Sequence, residues 1–149
     1  MSQARLDLRR IGIATVLTAA LSVGLSVAFE RQAEGREHVG PTSATLDEAY
    51  SAFLGAGLGI ALGSTLSALF IRRGSPVLSG LIAGLAAYVF ALAPALIITD
   101  DISLAEDLNP GGIGFLVLLL FAFGVFAALG AVVGGFIASF MHRGHTASP

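Results

Sequence analysis

The chain has 149 residues, 55% hydrophobic and 12% charged, with a net charge of −2 at pH 7 and a mean hydropathy of +0.86. A soluble domain carries about a quarter charged residues, so this composition excludes a soluble enzyme, a disordered polypeptide and a basic nucleic-acid binder, and indicates an integral membrane protein. Cysteine is absent, which removes disulfides, thiolate metal sites and cysteine nucleophiles.

A membrane-crossing helix needs about 20 mostly apolar residues. Four segments qualify: 11–29, 49–71, 76–98 and 113–141, none holding Asp, Glu, Lys, Arg or His. In hydrocarbon the backbone must satisfy its own hydrogen bonds, so these segments are expected to be helices. The alternation a β-barrel requires is missing. The expected fold is an all-α integral membrane bundle of four transmembrane helices in one domain.

In chain order, Arg5, Arg9 and Arg10 precede the first span. That span exceeds the 7–15 residues of a signal-peptide apolar region and is read as retained. An acidic outer loop is expected over 30–48. The capping-box pattern Thr45-Leu46-Asp47-Glu48 is expected to open the second span. Residues 72–75 form a tight hairpin, with Gly74 closing one helix, Ser75 capping the next and Pro76 in its first turn. Pro94 is expected to kink the third span or free a carbonyl near its end. A second outer loop spans 99–112, with a capping box at Ser103-Leu104-Ala105-Glu106 opening a short surface helix over 104–108. Asn109-Pro110-Gly111-Gly112 is then expected to break the chain. The fourth span is longer than a 30 Å core requires, and a tail follows over 142–149.

Arginine sets the orientation. With four spans, Arg5, Arg9, Arg10, Arg72, Arg73 and Arg143 share one side, and with Asp7 that side nets +5. The other side holds nine acids against Arg31 and Arg36, a net of −7. The positive-inside rule therefore places both termini in the cytoplasm, with Arg9, Arg10, Arg72, Arg73 and Arg143 as topology anchors. All eight basic residues are arginine, which we read as the coding bias of a prokaryote with a GC-rich genome. The expected location is the plasma (cytoplasmic) membrane, as a multi-pass protein.

Lipid is as apolar as leucine, so membrane helices associate by close packing at small residues. The second span carries Gly55, Gly59, Gly63 and Ser67 at four-residue intervals; the third carries Gly80 and Gly84, the fourth Gly130 and Gly134. Most of these glycine-zipper stripes are expected to pack inside one bundle. The stripe of the second span is expected to form an oligomer interface, because it runs almost the full membrane depth. A shift of 71 residues also aligns the halves, matching Leu58 with Leu129, Gly59 with Gly130, Gly63 with Gly134 and Arg72 with Arg143. The halves then read as a parallel repeat of two hairpins.

Chemistry is sparse. No nucleophile elbow, phosphate loop, dinucleotide fingerprint or HExxH motif is present, so no enzyme and no cofactor is expected. No span holds an ionisable residue of the kind that proton or ion coupling uses. Hydroxyls at Thr15, Thr18, Ser22, Ser26, Ser64, Thr65, Ser67 and Ser139 are expected to bond backbone carbonyls. Glu34, Glu37 and His38 share a face if the first helix continues, and form a weak candidate for a divalent cation; a solvated acidic rim that obeys the positive-inside pattern is the favoured reading. The sequence reads as a structural, accessory or assembly component acting through helix packing. Its partners would be the lipid bilayer and a second copy or another membrane subunit, with no nucleic acid. The alternative is a small channel or transporter with a hydroxyl-lined pathway.

Overall fold

Long runs of Ala, Leu, Val and Gly without charged interruption leave the backbone one economical way to satisfy its N–H and C=O groups, the helix. A computed structural model of the chain describes residues 8–34, 41–71, 75–92 and 110–145. The elements are α1 (Leu8–Glu34), α2 (Pro41–Phe70), α3 (Pro76–Ala87), which continues as a wider π turn over Tyr88–Leu92, and α4 (Pro110–His145). Three of the helices are long and apolar enough to cross a membrane, over Leu8–Ala33, Ala49–Phe70 and Val117–Met141; Pro76–Ala91 is a shorter apolar helix.

The helix starts follow local chemistry. Ser75 is extended (φ −88°, ψ 113°) and its side chain accepts a hydrogen bond from the Leu78 N–H at 3.4 Å, with Pro76 in the first turn. This is the expected cap. The π turn over Tyr88–Leu92 lies just before Pro94 in the sequence.

Three boundaries differ from the sequence expectation. α2 begins at Pro41, so Thr45–Glu48 lies inside the helix and does not cap it. Proline suits a first helical turn because its missing N–H has no partner there. Since α1 runs to Glu34, the expected 30–48 loop is largely helix. Glu30, Arg31 and Glu34 remain helical beyond the first apolar stretch, and Asp47 and Glu48 are helical ahead of the second. α4 likewise starts at Pro110, so Gly111 and Gly112 are helical and do not break the chain. Gly74, Pro94 and the expected 104–108 helix lie outside the described residues.

The packing is antiparallel between α1 and α2. Gly55 meets Leu25 and Ser26, Gly59 meets Ser22, and Gly63 meets Thr18. α3 runs antiparallel to α2, with Gly80 against Ser64 and Ala68. It is also antiparallel to α4, with Gly84 against Ala127 and Gly80 against Ala131. α2 and α4 run parallel, Gly57 meeting Phe126, Gly130 meeting Ala61, and Gly134 meeting Thr65. The start of α1, end of α2, start of α3 and end of α4 thus share one end of the bundle, which carries Arg9 and Arg10. Glu30 and Asp47 stand at the other end.

α2 is the centre. Half of its apolar span is buried, against 22% for α1 and 28% for α4. The core cluster joins Ala56 and Ile60 of α2 with Tyr88 of the π turn and Phe123 and Ala127 of α4. The outer faces stay apolar: Val16, Phe90, Leu118, Phe121, Phe136 and Phe140 are exposed. Phe136 and Phe140 stack edge-on at 4.8 Å.

Candidate functional site

The candidate site is the set of close contacts around α2, because among the described residues no acidic or basic side chain is buried, and the one buried phenol, Tyr88, belongs to the aromatic packing. On the α1 side the fit depends on missing side chains. A Cβ at Gly55 would lie 2.8 Å from the Leu25 carbonyl carbon and 2.9 Å from Ser26 Cα. One at Gly59 would lie 2.6 Å from Ser22 N. These are backbone atoms of another helix, which cannot swing aside. On the α4 side a Cβ at Gly134 would lie 2.5 Å from the Thr65 carbonyl oxygen and 2.8 Å from Ala68 Cβ. At Gly130 it would overlap the Ala61 carbonyl oxygen. For α3, a Cβ at Gly84 would lie 2.6 Å from Ala127 Cβ and overlap the Ser64 hydroxyl.

The stripe of Gly55, Gly59 and Gly63 is therefore covered by α1 of the same chain. This corrects the expectation that the stripe forms an oligomer interface. An α1 that presents Thr18, Ser22 and Ser26 at matching spacing is close enough in sequence to occupy the stripe first. The glycines matched by the 71-residue shift also serve different neighbours. Gly59 and Gly63 pack on α1, the preceding helix, whereas Gly130 and Gly134 pack on α2 rather than on α3.

Hydroxyls reinforce the contacts. Ser22 Oγ donates to the Ala56 carbonyl at 2.9 Å, joining α1 to α2. Thr65 Oγ1 lies 2.9 Å from both the Ala61 and the Gly130 carbonyl oxygens, joining α2 to α4. Thr15, Thr18, Ser67 and Ser139 bond carbonyls four residues back in their own helices. Ser64 and Ser79 are fully buried and their hydroxyls have no hydrogen-bond partner.

Toward the Glu30 end, aromatic rings fill the space between α2, the π turn and α4. Phe53 and Phe123 lie 5.0 Å apart, Tyr88 and Phe123 5.4 Å, and Phe53 and Phe126 6.2 Å. Phe126 sits over Gly57, where a Cβ would come within 2.7 Å of its ring. Sequence reasoning picked out the glycines but missed this cluster. Its signal was the pair Phe123 and Phe126, spaced to share a helix face with Gly130 and Gly134.

A groove of about 410 Å³ opens between α1 and α2 at the Arg10 end, and Ser67 is the one hydroxyl residue on its wall. Ser22, Ser26, Ser64 and Thr65 do not line it. Among the described residues no group of three metal-ligating side chains is gathered. Glu37 and His38 lie outside the described residues, as do Arg72 and Arg73; Glu34 and Arg143 sit in helices, with side chains outside the description. Comparison with known proteins returns no match: no protein family, no curated protein and no solved structure is similar to this chain.

Proposed function

We propose that the chain crosses the plasma (cytoplasmic) membrane four times, with both termini in the cytoplasm. It acts there as a structural, accessory or assembly subunit, through helix packing rather than catalysis. The observation that carries this reading is the economy of the interior. Around α2, glycine and alanine bring backbones into contact, and Ser22 and Thr65 spend their hydroxyls on neighbouring helices. The clustering of Arg9 and Arg10 at one end and Glu30 and Asp47 at the other supports the orientation. Support against a hydroxyl-lined pathway comes from Ser22 and Ser64, both fully buried. Because α1 covers the glycine stripe, a partner subunit would meet the outer apolar faces instead, where Val16 of α1, Phe70 of α2, Phe90 of the π turn and Phe121 of α4 are exposed.

Extraction in a mild detergent followed by native mass measurement tests the proposal. The expected particle contains a second copy or another membrane protein. A 15.2 kDa chain found alone, which also conducts ions in liposomes, would instead establish the channel.

A further inference from the structure

We draw no further inference here: the strongest candidate, the outward face of α1 where Gly12, Ala20 and Gly24 are exposed and a Cβ on either glycine would meet nothing within 4 Å, is a stripe of small residues, and nothing in the structure shows what covers it.

Discussion

Adding one methyl group at Gly59 is expected to loosen α1 from α2. The new Cβ would sit 2.6 Å from Ser22 N and overlap Ser22 Cα. Carbon contacts are comfortable at about 3.5–4.0 Å, so against the 2.6 Å approach α1 must retreat by about 1 Å. The retreat stretches the hydrogen bond from Ser22 Oγ to the Ala56 carbonyl, now 2.9 Å. Overpacking costs about 1–3 kcal/mol and an interhelical hydrogen bond in a membrane averages about 0.6 kcal/mol. The expected loss for G59A is therefore roughly 2–3 kcal/mol, and more for G59L. The matched control is G24A, because a Cβ at Gly24 meets nothing within 4 Å. Unfolding in mixed micelles with increasing dodecyl sulfate, followed by helicity, measures both. G59A should unfold at a clearly lower sulfate fraction than the parent, with G24A unchanged. A G59A protein that unfolds with the parent would refute the packing described for α1 and α2.

Three further changes probe other contacts by the same assay. T65V removes the hydroxyl that reaches the Ala61 and Gly130 carbonyls and should cost about 0.5–1.5 kcal/mol; no loss would mean α2 and α4 are not joined there. S64A removes a buried hydroxyl that has no partner, so stability should stay level or rise, and a clear loss would reveal a bond or water that the packing does not account for. F123A empties the centre of the Phe53, Tyr88 and Phe126 cluster and should cost about 3–5 kcal/mol, whereas F121A, at an exposed position, should cost little.

The helices and most of the packing residues were legible in the sequence, because length and missing charge are one-dimensional properties. Gly59, Gly84, Gly130 and Gly134 could be named as packing positions from their spacing alone. Which helix each would meet could not, since a small face is complementary to any other. That is why α1 takes the stripe expected to serve an oligomer. Helix ends were less legible. The Thr45–Glu48 pattern resembles a cap, yet Pro41 starts α2 earlier, and nothing local decides between the two. The aromatic cluster escaped notice because Phe53 and Tyr88 are distant in sequence from Phe123. The Arg10 groove is a shape between two helices and has no sequence signature.

The number and direction of crossings underlie everything proposed here, and the chain is suited to testing them because it has no native cysteine. Single cysteines at Ser43, Ser75 and Ser103, treated in intact cells with a membrane-impermeant maleimide, give the most direct measurement. Four crossings with cytoplasmic termini predict labelling at Ser43 and Ser103 from outside, and at Ser75 only after permeabilisation. Labelling of Ser75 in intact cells would contradict the orientation, and Ser43 and Ser103 on opposite sides would mean that the third helix does not cross.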